Sequence, residues 1–390
     1  MTKILYEDSI PKAQEYFDGL GDVASFPSGN LAPHHLDNVS MLVVRSTTKI
    51  NQATLAGNHR IAFVTTATAG TNHFDKAFLA QAGIAWNSAA GCNARSVAEW
   101  VISALLVADE QNRIDLANAT VGIVGAGNVG SMLAALLTAM NIRYKLCDPP
   151  LQKQGDQRAL VALDEILTCD VISLHVPFTA AGVDATANLL SSDELNSLSQ
   201  HQLLINACRG EVIDEPALRQ RMQQPDAPTL VLDVFDDEPD IDMSLLPLCF
   251  LATPHIAGHS VEGKLRGTQL VYEQVCSLLG QPVQKQLEDF LSTVSPMTVD
   301  AEELTSDTLS IAQWRALLLP IYDIREDDKH FRQSMAQSNQ FAALRKAYRV
   351  RREISSCTLS IRGKLHKNVQ MQLKAIGFKF ESGCNNIHSG

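Results

Sequence analysis

The sequence predicts an α/β protein in which doubly wound parallel sheets carry the function and a small α+β domain closes the chain. Three observations predict it. Short apolar strand-like runs alternate with helical stretches from the N-terminus to about residue 280. A glycine motif, "GAGNVG", sits directly between one such strand and one such helix. Near residue 285 the composition turns polar and Ser/Thr-rich, which marks a domain boundary. With 390 residues the chain exceeds one ordinary core, so two or three domains are expected.

The elements follow in order. "KILYEDSIPKAQEYFDGLGDVASF" reads as a strand, a helix opened by Pro11, a glycine turn and a second strand. "VSMLVVRSTTKI" and "RIAFVTTATAGTNHFD" are each a buried apolar strand running into a polar loop. Residues 94–107, "ARSVAEWVISALLV", form a long apolar helix, and "ATVGIVGAGNVGSMLAALLTAMNIRYKLCDPP" then begins a new βαβ unit. Strands recur at "DVISLHV", "QLLINAC" and "TLVLDVF", with a helix at "EPALRQRMQQ". "EGKLRGTQLVYEQVCSLLG" is one more long helix, closed by Gly280 and Pro282. Beyond the boundary, helical patterns at 311–319 and 340–353 precede a strand "SCTLSI", a further helix and "IGFKF"; the final "GCNNIHSG" reads as a mobile tail.

Bulk properties narrow the function. A formal charge of -11 argues against a phosphate-backbone binder, so nucleic acid is not an expected partner. Eight cysteines without C-x-x-C spacing fit reduced thiols in a cytoplasm. The charged N-terminus is unlike a signal peptide. No stretch reaches the roughly 18 apolar residues of a membrane helix.

The glycine motif points to a dinucleotide. Gly125, Gly127 and Gly130 follow the strand "VGIV" and open a helix in which Val129, Leu133, Leu136, Leu137 and Met140 recur at helical spacing. The first glycine permits the tight turn, the second lets backbone approach a pyrophosphate, and the third packs helix on strand. Gly125, Gly127, Asn128, Val129 and Gly130 are therefore expected at the cofactor. A second strand ends in Asp148, about twenty residues on, where a carboxylate accepts from ribose hydroxyls and repels a 2′-phosphate. NAD is the expected cofactor.

Three residues stand just after apolar runs: Arg209 in "INACRGEVID", Glu238 in "LDVFDDEPDI" and His255 in "TPHIAGHS". In a doubly wound sheet, chemistry gathers beyond the carboxyl ends of the strands. An arginine pairs bidentately with a carboxylate, and a glutamate fixes the tautomer of an imidazole that takes a hydroxyl proton as hydride leaves. This trio is the expected catalytic set.

These segments, "GIVGAGNVG", "LINACRGEVIDEPAL", "VLDVFDDEP" and "TPHIAG", resemble the NAD-dependent D-2-hydroxyacid dehydrogenases. The resemblance implies a Rossmann nucleotide domain at 96–257, a flavodoxin-like substrate (lid) domain at 1–95 and 258–284, and a C-terminal dimerisation domain at 285–390. It also implies that Arg209 holds the substrate carboxylate and oxo group, Glu238 supports the histidine and His255 is the acid/base. "VRSTTKIN", "TATAGTNH", "AAGCNARSVAEW" and "HIAGHSVEGKLRGTQ", with the C-terminal "IYDIREDD", are similar to a branch that oxidises a phosphorylated hydroxy acid as a homodimer.

That branch places Ser46 and Thr68 on the substrate, with Arg45 beside its phosphate or carboxylate. Cofactor contacts would fall on Asp148, on Ala207, Cys208 and Arg209, on Asp233 and on Gly258. Two positions depart from its pattern: His259 stands where a substrate-contacting tyrosine is usual, and Val176 where a cofactor-contacting threonine is usual. A histidine still donates to a phosphate, and Val176 retains its backbone groups.

Other readings stay in view. The basic run "RKAYRVRRE", 345–353, is most simply a solvated helix face, or an arm reaching a phosphate in a partner subunit. His34 and His35 lack a carboxylate-rich cluster, so no metal is expected. Arg95 and Lys264 are candidate phosphate ligands, though such cations are more often plain surface residues. Another D-2-hydroxy acid, or an NAD(H)-sensing interaction module without turnover, remain alternative functions.

Overall fold

The structure, a computed structural model, describes residues 2–56, 58, 60–304 and 306–381. The tail "GCNNIHSG" lies outside the described residues. The chain divides into two compact units, one of residues 1–93 with 260–292, the other of 94–259 with 293–390.

The first unit is a parallel sheet of β1 (Lys3–Glu7), β2 (Asp22–Phe26), β3 (Met41–Val44), β4 (Phe63–Thr66) and β5 (Ala85–Ser88), in the order β2-β1-β3-β4-β5. This is the flavodoxin-like order, with its direction reversal between β1 and β3. β3 and β4 are buried along their whole length, as strands covered on both faces must be. One face packs Tyr16, Phe17 and Val43 against Val271, Tyr272 and Val275 of the helix Val261–Leu279. That helix is capped by Ser260, which accepts the Gly263 amide at 2.8 Å, and stops at Gly280 in the left-handed region. A side chain at Gly267 would collide with the Ala67 carbonyl, so glycine lets the helix lie on the loop after β4.

The second unit holds β6 (Thr120–Val124), β7 (Arg143–Cys147), β8 (Val171–Leu174), β9 (Leu203–Asn206), β10 (Thr229–Leu232) and β11 (Leu251–Ala252), in the parallel order β11-β10-β9-β8-β6-β7. Leu160 bridges to Leu146 outside β7. The strand order reverses between β6 and β8, where doubly wound sheets open a ligand crevice. The helix Ala94–Glu110, almost entirely buried, packs on the helix Asn128–Ala139 that follows the glycine motif.

The C-terminal residues share this unit and add a parallel sheet of β12 (Met297–Asp300), β13 (Thr358–Arg362) and β14 (Lys379–Phe380). Trp314, Leu359, Val369 and Leu373 join the same apolar cluster as Leu105 and Leu136. Here the sequence expectation needs correction. The helix anticipated over 340–353 is only Phe341–Lys346. Beyond it the chain is held by side-chain contacts: Tyr348 and Arg349 bond to buried Asp327, and Arg351 to the Ala257 carbonyl. The basic run is thus no simple solvated face, because Arg351 is 2% exposed. A helix at Ile324–Met335 escaped the sequence reading because its apolar stripe, Ile324, Phe331 and Met335, is sparse within "REDDKH".

Candidate active site

The glycine motif builds a cradle. Gly125 has φ 94°, and a Cβ there would meet the His175 carbonyl at 2.6 Å. A Cβ on Gly130 would strike the Gly125 carbonyl. Gly127, the N-cap of the helix Asn128–Ala139, faces open space, with no heavy atom within 4 Å of a would-be Cβ. The positive end of a twelve-residue helix therefore opens onto a gap that fits a pyrophosphate. Asp148, at the end of β7, accepts the Ala126 amide at 2.9 Å and the Leu151 amide at 3.0 Å. Each oxygen keeps a lone pair for a ribose hydroxyl. Asn128 and Val129 begin the helix, and Val176 follows His175 after β8.

The dyad forms at the other side of the switch. His255 Nδ1 lies 2.6 Å from Glu238 Oε2. A carboxylate only accepts, so Nδ1 carries the proton and Nε2 is left with its lone pair. The Phe235 amide donates to Glu238 Oε1 at 3.1 Å and holds the carboxylate in place. Arg209 follows β9 and donates from Nη1 to the Cys208 carbonyl at 2.5 Å. The amide side chain of Asn206 spans this turn: its nitrogen donates to the Arg209 carbonyl and its oxygen accepts the Cys208 amide. Gly210 carries the turn across the Phe235 backbone, where any Cβ would collide. Arginine and dyad thus sit on touching loops.

The histidine loop is itself clamped. Asp233, 1% exposed, accepts the Thr253 hydroxyl at 2.6 Å, the Ile256 amide at 2.8 Å and the Ala257 amide at 3.0 Å. Its carboxylate, anticipated at the cofactor, is directed into this loop. His255 adopts φ 54°, unusual for a non-glycine residue, and its amide donates to the Asp233 carbonyl at 2.7 Å. Trp100 Nε1 donates to Thr253 at 3.2 Å, and Arg351 donates to the Ala257 carbonyl at 3.0 Å and the Ser96 carbonyl at 2.6 Å. Arg351 also lies 3.7 Å from the Tyr322 ring centre. Gly258 and His259 end the loop, with the His259 ring 5.9 Å from that of Tyr348.

Cys208 is inert: burial pushes its thiol up to about 11, and it points at Asn206. Ala207 and Cys208 offer backbone at the end of β9. His175 is neutral, because burial lowers its imidazole to about 3.

In the first unit, Arg45, Ser46 and Thr68 follow β3 and β4. Glu7, fully buried at the end of β1, organises the Arg45 loop: it accepts the Arg45 amide at 2.9 Å and the hydroxyls of Thr47 and Thr48 at 2.5 and 2.7 Å. Burial alone would raise the Glu7 carboxyl, but these bonds, with one from Ser28, hold it below its ordinary value. Ser46 is left exposed, and Thr68 shares a 2.7 Å hydrogen bond with Thr66.

Comparison with known proteins bears on this arrangement. Residues 94–257 match the D-isomer specific 2-hydroxyacid dehydrogenase, NAD binding domain, and residues 297–377 a domain of unknown function. The erythronate-4-phosphate dehydrogenase of Pseudoalteromonas atlantica is 48% identical over 358 residues, covering 92% of this chain and 95% of its own. That of Marinobacter nauticus is 42% identical over 388 residues, covering 97% and 99%. The chain belongs to the erythronate-4-phosphate dehydrogenase family.

For this family member, then, the glycine cradle is part of an NAD binding domain, and the chain is an NAD-dependent oxidoreductase of the 2-hydroxyacid dehydrogenase type. Solved structures share the fold. NAD-bound 3-phosphoglycerate dehydrogenase of Entamoeba histolytica aligns with TM-score 0.61 at 22% identity, covering 74% of this chain and 99% of that one. D-lactate dehydrogenase of Aquifex aeolicus aligns with TM-score 0.57 at 23% identity, covering 71% and 95%. Both support the doubly wound architecture predicted from the strand and helix alternation. Among the described residues, no helix is long and apolar enough to cross a membrane.

Sequence reasoning missed two arginines. Arg345 Nη1 stands 3.8 Å from Glu238 Oε2, and Arg351 holds the histidine loop. Both come from the run read as a helix face; nothing local in "RKAYRVRRE" signals their partners.

Proposed function

We propose that this family member oxidises 4-phospho-D-erythronate at C2 to 2-oxo-3-hydroxy-4-phosphobutanoate, a step toward pyridoxal 5′-phosphate. The observation that carries the reading is the Glu238–His255 hydrogen bond of 2.6 Å beside the Arg209 turn, in a chain 48% identical to an erythronate-4-phosphate dehydrogenase. His255 Nε2 takes the C2 hydroxyl proton, and Glu238 stabilises the imidazolium that forms. Arg209 orients the substrate carboxylate and the developing carbonyl. Bound NAD supplies the hydride acceptor. Gly125, Gly127, Asn128, Val129, Gly130 and Asp148 hold the cofactor, with Val176, Ala207, Cys208, Asp233 and Gly258 around it. Ser46, Thr68, Arg45 and His259 contact the substrate.

We further propose a cytoplasmic homodimer formed through the C-terminal residues. Val350 and Met371 are exposed apolar side chains of that region, and among the described residues seven cysteines are buried and free, in keeping with reduced thiols.

The deciding experiment follows reduced-nicotinamide absorbance on mixing protein with 4-phospho-D-erythronate or erythronate, with and without NAD and a 2-oxo acid acceptor. A rise with the phosphorylated acid alone supports the reading. No rise with it, under any condition, overturns the substrate.

A further inference from the structure

The helix Val261–Leu279 brings an unassigned cation to the substrate-side loops of the first unit. Thr268 donates to the Pro11 carbonyl at 2.8 Å, in the loop after β1, and Arg45 Nη1 donates to the Ser9 carbonyl of the same loop at 3.2 Å. Gly267 lies on the Ala67 carbonyl, next to Thr68. Lys264 is one turn before Thr268 on the same helix face, and helical side chains lean toward the N-terminus. Lys264 therefore stands on the helix face that lies against the loops after β1 and β4, and Arg45 reaches the first of these loops from the end of β3.

Its surroundings are those of an anion site. Lys264 is half-buried, and among the described residues it makes no ion pair and no side-chain hydrogen bond. Glu7, the buried carboxylate at the end of β1, is committed to the Arg45 amide and to the hydroxyls of Ser9, Ser28, Thr47 and Thr48. Glu262, the acid of the helix's first turn, is buried about 200° round the helix from Lys264. Burial, and then the Arg45 guanidinium, depress the lysine below its ordinary value. The helix N-terminus adds positive potential.

We propose that Lys264, with Arg45, is the subsite for the substrate's phosphate. The identity of the anion rests on the proposed function; the subsite itself is Lys264 on the helix face that meets the loop to which Arg45 is bonded. Two ammonium or guanidinium groups so placed bind a phosphate dianion by charge-assisted hydrogen bonds, while an uncharged hydroxyl at the same position gains little.

The test uses the full chain as wild type, Lys264→Gln and Lys264→Arg. Calorimetric titration with inorganic phosphate reads the subsite directly. Removing a charged partner should weaken phosphate binding about tenfold or more in Lys264→Gln, and Lys264→Arg should stay within a few-fold of wild type. The ratio of kcat/KM for phosphorylated over unphosphorylated erythronate should fall by a similar factor in Lys264→Gln. Unchanged NAD affinity shows that the variant is folded. Wild-type affinity for phosphate in Lys264→Gln, or no phosphate binding by wild type, overturns the proposal. Lys264-dependent phosphate binding without turnover of the phosphorylated acid would leave the subsite standing and remove the substrate reading.

Discussion

Arg345 and His255 address one oxygen: Arg345 Nη1 is 3.8 Å, and His255 Nδ1 2.6 Å, from Glu238 Oε2. A residue of the C-terminal run therefore places a permanent positive charge beside the Glu238–His255 pair. The cation helps to hold the carboxylate that orients the imidazole. Arg345→Gln should therefore lower kcat by about three- to tenfold while NAD affinity stays within about twofold, and Arg345→Lys should recover part of the loss. Wild-type kcat in Arg345→Gln would sink this role.

His255 and Glu238 should separate chemistry from cofactor binding. His255→Asn is expected to lower kcat by about 10²–10⁴, the usual worth of a general base. Its NAD affinity, read by nucleotide fluorescence titration, should stay within about twofold, because neither the cradle glycines nor Asp148 contacts the ring. Near-normal turnover would remove His255 from the mechanism.

Two glycines of one motif should fail differently. At Gly127 the protein leaves space, so Gly127→Ala should keep wild-type stability while the methyl intrudes on the pyrophosphate, weakening NAD by roughly tenfold or more. At Gly130 the methyl meets the Gly125 carbonyl, so Gly130→Ala should cost about 1–3 kcal/mol of stability, as overpacking does. Urea melts of both variants, with and without NAD, would show the contrast or its absence.

His175 makes the fold acid-sensitive. Its Nε2 meets the Ser173 hydroxyl at 2.8 Å and its Nδ1 is enclosed, so the ring stays neutral down to about pH 3. The folded value lies below the unfolded one, so the unfolded chain binds the extra proton. Stability is full above about pH 6.5 and is lost as pH falls toward 3. At pH 5 this one group should remove about 1–2 kcal/mol relative to pH 7. Denaturation midpoints of His175→Asn should fall less between pH 7 and pH 5 than those of wild type; parallel declines would refute the assignment.

What could be read without coordinates was local. The glycine motif, the strand-end Arg209, Glu238 and His255, and the alternation of strand and helix depend on neighbours within a few residues, and each stands where its spacing placed it. The 340–353 segment failed because its apolar and basic periodicity is helical, whereas Asp327 and the Ala257 carbonyl draw Tyr348, Arg349 and Arg351 out of the helix. Asp233 was visible as a strand-end acid, but its commitment to the histidine loop depends on Thr253, Ile256 and Ala257 returning beside it. Lys264 could be named only as one of two candidate phosphate cations, because Arg45, with which it interacts, is more than two hundred positions away.

The helix Val261–Leu279 has a consequence for biosynthesis. Gln274 accepts from Thr65 at 2.6 Å and donates to the Ser88 carbonyl at 2.9 Å, and Tyr16 and Phe17 find Tyr272 only when that helix arrives. On the ribosome, β1 to β5 are made first yet wait with one apolar face bare until residues 94–279 have been polymerised, on the order of ten seconds or more at ordinary elongation rates. The nascent N-terminal sheet is then the stretch of this chain most dependent on chaperone cover, and translation speed through the intervening gene sequence sets how long that dependence lasts.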